Sequence, residues 1–157
     1  MHVMLAYDNS RNARIALDAV RDLLSALNPK ITLISVVEDV GSATAGADEL
    51  FLAQYAEQKA GTERAAVELA AAGFDASVLI AEGDARKMIL RAVDERKPDL
   101  LVMARHSHKP DVGPFNFITK RLDALVEEFD HMTFGSTSAF LARRASCPLL
   151  IIPTHSD

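Results

Sequence analysis

The chain has 157 residues, 49% apolar and 25% charged, with 17 Lys+Arg against 22 Asp+Glu and a formal net charge of −5. That length suits one domain, and a single core of this size buries roughly 68–70% of the unfolded surface without metal or disulfide staples. The acidic balance disfavours non-specific binding to nucleic acid and to anionic membranes, and the single Cys147 excludes an internal disulfide and suits a reducing compartment.

In chain order, His2 to Tyr7 is an apolar run that stops at Asp8-Asn9-Ser10 and reads as a strand. Ala13, Ile15, Ala16, Leu17, Val20, Leu23, Leu24 and Leu27 then follow the spacing of an amphipathic helix. Asn28-Pro29 stops it, because the residue before proline is pushed out of the α region. Ile31 to Val37 is β-branched and apolar, a second strand, and the glycines and hydroxyls between Glu38 and Ala47 suit a loop. From Asp48 about 25 residues of helix formers lead to Gly73, a natural residue to follow a helix. Ala76 to Ala81 predicts a third strand. Gly83-Asp84 opens a third helix that carries Met88, Ile89, Ala92 and Val93 on one face and ends at Lys97-Pro98. Leu100 to Ala104, Ser136 to Arg144 and Leu149 to Ile152 read as strand, helix and strand. Alternating strands and helices imply parallel strands, and near-continuous apolar strands imply a sheet covered on both faces.

One segment departs from this alternation. Residues 105–134 separate the fourth strand from the last helix, far beyond the usual 2–6 residue connection. Within it Ile118, Leu122, Leu125, Val126 and Phe129 form a stripe at helical spacing, opposite Lys120, Arg121, Asp123, Glu127 and Glu128. An additional ordered helix is expected in the insertion 108–134, either covering the domain or docking a protein partner. No apolar run reaches the roughly 18–20 residues that span a bilayer, and MHVMLAYD lacks the pattern of a secretory leader. The expectation is a soluble, cytoplasmic single domain over 1–157.

In a doubly wound sheet, chemistry gathers at the carboxyl ends of the strands. Those ends carry Asp8-Asn9-Ser10, Glu38-Asp39 and Arg105-His106-Ser107-His108, and Gly135-Ser136-Thr137 opens the last helix at the same edge. A glycine before a helix start lets backbone N–H groups approach an anion, and the helix dipole favours phosphate there. The same residues are also ordinary helix caps.

Three stretches in this order resemble the universal stress protein family. LAYDNSRNARIALDAV is similar to its first strand and helix, GDARKMILRAVDERKPDLLVMA to its third helix and fourth strand, and FGSTSAFLARRASCPLLIIP to its closing helix and strand. The resemblance implies a doubly wound, five-stranded parallel sheet of order 3-2-1-4-5 with helices on both faces, plus the extra helical insertion. It also implies a homodimer through strand 149–152. Family members that bind ATP carry G-x2-G-x9-G-[ST] after the fourth strand. Here Ala104 and Ser107 stand at the first two glycine positions, only Gly135-Ser136 is retained, and the spacer is 27 residues (108 to 134). A Cβ at those two positions obstructs close backbone approach. Asp8 matches the position whose carboxylate faces the adenine end, and Val37 and Glu38 lie where strand backbone would flank a base. Asn9, Ser10, Arg105 and Thr137 complete the expected binding set, with Arg105, His106, His108 and Lys109 able to supply positive charge.

The expected function is therefore a stress-type regulatory protein that binds an adenine nucleotide, ATP with Mg²⁺, without significant turnover. No residue is assigned to activate an attacking water, so no catalytic residue is expected. The alternative is a nucleotide-independent interaction protein whose insertion fills the pocket or docks a partner. Other chemistries lack their residues. The third strand ends at Ala81-Glu82 without a receiver's acidic phosphoacceptor, and no P-loop or nucleophile elbow appears. His106, His108 and His131 are too scattered to predict a metal site, and Cys147 reads as a small buried residue.

Overall fold

A computed structural model describes residues 1–38, 47–105 and 136–154. The insertion 108–134, with its helical stripe, and Ser107 and Gly135 lie outside the described residues. Five strands, β1 (His2–Ala6), β2 (Lys30–Val37), β3 (Asp75–Glu82), β4 (Leu100–Ala104) and β5 (Leu149–Ile152), form one sheet of order β3-β2-β1-β4-β5. All neighbours are parallel, with Met4 opposite Thr32 and Leu101, Thr32 opposite Ser77, and Met103 opposite Ile151. This is the expected doubly wound sheet and strand order.

Among the described residues four α-helices accompany them: α1 (Arg11–Leu24), α2 (Ala47–Ala71), α3 (Ala85–Arg96) and α4 (Ser136–Arg144). Alternation along the strands divides the core in two. Val3, Leu5, Ile31, Leu33 and Val102 pack with Ala13, Leu17 and Val20 of α1 and Ala65 and Leu69 of α2. On the opposite face Met4, Ile34, Leu101 and Met103 pack with Ile89 and Val93 of α3 and Leu141 of α4. Each fully buried Leu, Ile or Met here contributes about 1.5–3 kcal/mol. Among the described residues no helix is long and apolar enough to cross a membrane.

The helix ends follow local chemistry. Ser10 caps α1, its Oγ accepting from Ala13 N at 3.1 Å. α1 stops three residues earlier than the periodicity suggests, and Ser25–Leu27 tighten into a 3-10 turn that ends at Asn28 in the left-handed region. Gly73, at φ +95°, follows α2, and Lys97, at φ +46°, closes α3 before Pro98.

α2 also reaches the loop between β1 and α1. Asn9 is left-handed, at φ +62°, and its Nδ2 donates to the Gln58 carbonyl at 3.1 Å. Its carboxamide occupies the space where a Cβ on Gly61 would stand. At the opposite end of the sheet a polar line crosses three strands. His2 Nε2 lies 2.9 Å from Thr32 Oγ1, which lies 3.1 Å from Ser77 Oγ. Burial pushes the His2 pKa down from its ordinary 6.5, assisted by Lys30, Arg96 and the terminal amino group and opposed by Asp99.

Two outcomes are expected. Gly to Ala within a helix ordinarily gains about 0.5–1 kcal/mol. Gly61→Ala reverses that sign by displacing Asn9, with a loss of about 1–3 kcal/mol in urea unfolding; a gain in stability would contradict the close approach. For His2, a folded pKa below the unfolded one means that its contribution is complete above 6.5 and is lost as pH falls below it toward the lowered value. His2→Gln therefore flattens the fall in unfolding free energy between about pH 7 and 5, and parallel slopes in the two proteins would refute this assignment.

Candidate functional site

Strand order reverses at β1: the chain adds β2 and β3 on one side, then returns to add β4 and β5 on the other. The segments leaving β1 and β4 diverge there, and a crevice opens at their carboxyl ends. It holds a cavity of about 460 Å³, within the roughly 300–1,000 Å³ of ligand pockets. Ala6, Ile34, Val36, Ile89 and Met103 form an apolar floor, and polar groups converge on it from α1, α2, α4 and the loops.

The β1 exit supplies a structured turn. Asp8 Oδ1 accepts from Ser10 N at 3.0 Å, and Ser10 in turn caps α1. One carboxylate oxygen is thus committed to orienting the turn, while Asp8 itself lines the cavity. At the β2 exit, the Val37 carbonyl accepts from Gly83 N at 3.0 Å, and Glu38 Oε1 accepts from Ala85 N at 3.2 Å. Asp84 caps α3 by accepting from Lys87 N at 3.1 Å. Its carboxyl is held down to about 2, first by the Arg86 guanidinium 2.8 Å away and then by the Lys87 N–H. The start of α3 therefore already holds two carboxylates of its own.

The far wall comes from β4 and α4. Arg105 N donates to the Ile152 carbonyl at 2.8 Å and its own carbonyl accepts from Thr154 Oγ1 at 3.0 Å, which fixes the backbone where Arg105 borders the cavity. Ser136, Thr137 and Ser138 bring the first turn of α4 to the same wall. Phe140 braces α4 behind it, between the guanidinium of Arg144 at 4.4 Å and that of Arg86 at 5.9 Å from the ring centroid. Such contacts contribute about 0.5–1 kcal/mol each at exposed sites.

Seven of the residues singled out from sequence border the cavity: Asp8, Ser10, Glu38, Ala104, Arg105, Ser136 and Thr137. Asn9 instead turns to α2, where its Nδ2 also lies 3.3 Å from Gln58 Oε1. Val37 is 1% exposed, and it is Val36 and Glu38, on either side of it, that face the cavity. Ser107 and Gly135 lie outside the described residues. Sequence reasoning did not single out Asn12, Gln54, Gln58 or Ala85. The available signal for α2 was a pair of glutamines one turn apart in an Ala-rich helix. Among the described residues no group of three or more His, Cys, Asp or Glu side chains is arranged for a metal ion. Cys147 packs half-buried against the α3/α4 side of the core, and burial pushes its thiol up, so it is a poor nucleophile.

Comparison with curated proteins finds no match. Universal stress protein UspA from Lactobacillus plantarum is 18% identical, with a TM-score of 0.74 over 97% of each chain. A universal stress protein family protein from Arabidopsis thaliana with AMP bound is 17% identical, with a TM-score of 0.65 over 100% of this chain and 94% of that one. A universal stress protein in complex with cAMP is 22% identical, with a TM-score of 0.56 over 97% and 95%. At these identities the likenesses concern the fold. The sequence profile described as the Universal stress protein family matches residues 1–153, and with so much of its length matched the chain belongs to the universal stress protein family.

Proposed function

We propose that this protein binds an adenine nucleotide in the crevice between β1 and β4 and acts as a stress-type binding or regulatory protein rather than as an enzyme with significant turnover. The observation that carries the reading is the cavity itself, which is lined by an apolar floor together with Asp8 and the first turn of α4. A flat base suits the floor of Ala6, Ile34, Val36 and Met103, where its burial removes apolar area from water. The free oxygen of Asp8 can accept from a base or sugar donor. Phosphate suits the α4 end, where the helix dipole, the Ser136 and Thr137 hydroxyls and the Arg105 guanidinium all favour negative charge. Related folds crystallised with AMP and with cAMP support the ligand class. With ATP, Mg²⁺ would travel as counter-ion of the polyphosphate; no described residue is assigned to it.

The protein also pairs with a second copy through β5 in this proposal. β5 joins only β4 among the described strands, and Leu149, Leu150 and Ile151 stay half-exposed there. An apolar edge of this kind is hazardous unless covered.

Calorimetric titration of nucleotide-free protein with AMP, and with ATP in the presence and absence of Mg²⁺, tests the first statement. Binding at about micromolar Kd is expected. Asp8→Asn keeps an acceptor for Ser10 N while removing the charge, so it should weaken binding tenfold or more, about 1.4 kcal/mol, with little change in Tm. Silence of the wild type up to millimolar nucleotide would overturn the reading and direct the search to protein partners, as Ala104 and Ser107 at glycine positions would then imply. For the second statement, sedimentation at micromolar concentration should show a dimer that Ile151→Lys converts to monomer. A wild-type monomer would end that part of the proposal.

A further inference from the structure

The long helix α2 contributes more to the cavity than a wall. Gln58 is half-buried, borders the cavity, and is the meeting point of three elements. Its Nε2 donates to Ser35 Oγ on β2 at 2.7 Å, and Ser35 is fully buried. Its main-chain carbonyl accepts from Asn9 Nδ2 at 3.1 Å and from the fully buried Thr62 Oγ1 at 2.7 Å. Its Oε1 lies 3.3 Å from the same Asn9 nitrogen. Asn9 in turn sits against Gly61, in a left-handed conformation that costs most residues about 1–2 kcal/mol. Asn tolerates that conformation when its side chain finds partners, and here α2 provides them.

We infer that Gln58 is the positioning residue of the Asp8-Asn9-Ser10 turn, holding it at the distance from β2 that the nucleotide requires; this rests on the nucleotide reading above. The geometry explains why a side chain is needed at this position. Asp8 and Ser10 face the cavity from either side of Asn9, so a displacement of Asn9 moves both. Asp8 Oδ1 is bonded to Ser10 N and Ser10 Oγ to Ala13 N, so the turn and the first turn of α1 move as one unit. Gln58 ties that unit to Ser35, two residues beyond Leu33 in the centre of the sheet. It acts on the ligand through Asp8, whether or not it also touches it. A helix anchored only by packing would tolerate an isosteric apolar residue at this position. The strut does not, because the buried Ser35 needs a polar partner and Gln58 Oε1 is the second acceptor for Asn9, whose bond to the main-chain carbonyl persists in any variant.

The test uses the full chain with AMP as probe, and the variants Gln58→Met and Gln58→Glu. Glutamate keeps an oxygen for Asn9 Nδ2 and lets Ser35 become the donor. Gln58→Met should weaken AMP binding tenfold or more and speed hydrogen exchange at the Ala13 amide by about tenfold, with Val102 in the sheet unchanged. Gln58→Glu should restore both to within about threefold. Wild-type Ala13 exchange in Gln58→Met would overturn the inference whether or not AMP binds. Equal acceleration at Ala13 and Val102, without rescue by glutamate, would overturn it too, because it would mark a loss of global stability. If the wild type binds no AMP but Ala13 responds as stated, the strut stands and the nucleotide reading falls.

Discussion

β1 has no side that faces water. Its neighbours β2 and β4 take both hydrogen-bonding edges, while Val3 and Leu5 enter the α1/α2 core and Met4 enters the α3/α4 core. Like β2 and β4 on either side of it, β1 joins the two cores, and it stands in the middle of the sheet. The chain can leave such a strand only at its ends, and at the carboxyl end it must choose a face. It turns through Asp8-Asn9-Ser10 into α1. β4, on the other side, leads instead to a helix on the opposite face, and the crevice between those departures is where a ligand can reach backbone and side chains together.

The crevice is shaped by how its borders satisfy their own polar groups. Ser10 and Asp84 cap α1 and α3, and Glu38 adds a second acceptor at α3. Those helix starts are closed by carboxylates or hydroxyls of the chain itself, and the nucleotide proposal accordingly puts phosphate at α4 and the base on the apolar floor.

α2 gives the site its rigidity. A 25-residue crossover would ordinarily pack through Ala65 and Leu69 alone and could slide on the sheet. Polar links from Gln58 to Ser35 and Asn9, and the close approach at Gly61, fix its position along its own axis. Buried polar groups are costly when unpaired and directional when paired. This network is therefore a means of specifying position, where apolar contact would specify only a face.

Much of this could be seen from the chain alone, because local rules govern it. Near-continuous apolar runs and the 3.6-residue period marked strands and helices, Pro29, Gly73 and Pro98 marked their ends, and the strand-end residues Asp8, Ser10 and Arg105 and the helix-start residues Ser136 and Thr137 lay where a doubly wound sheet gathers its chemistry. Sequence could not distinguish Val37 from its neighbours, since a one-residue difference along a strand reverses the face. It also could not show that Asn9 turns away to α2 or that Gln58 meets it. Those contacts join residues 49 positions apart, and no local propensity encodes them. The sequence by itself determined the elements, their order and the edge at which the site lies, because each follows from side-chain periodicity and chain connectivity. Which side chains face the cavity and what holds them is settled only in three dimensions, because that depends on the packing of α2 over a turn 49 residues earlier in the chain.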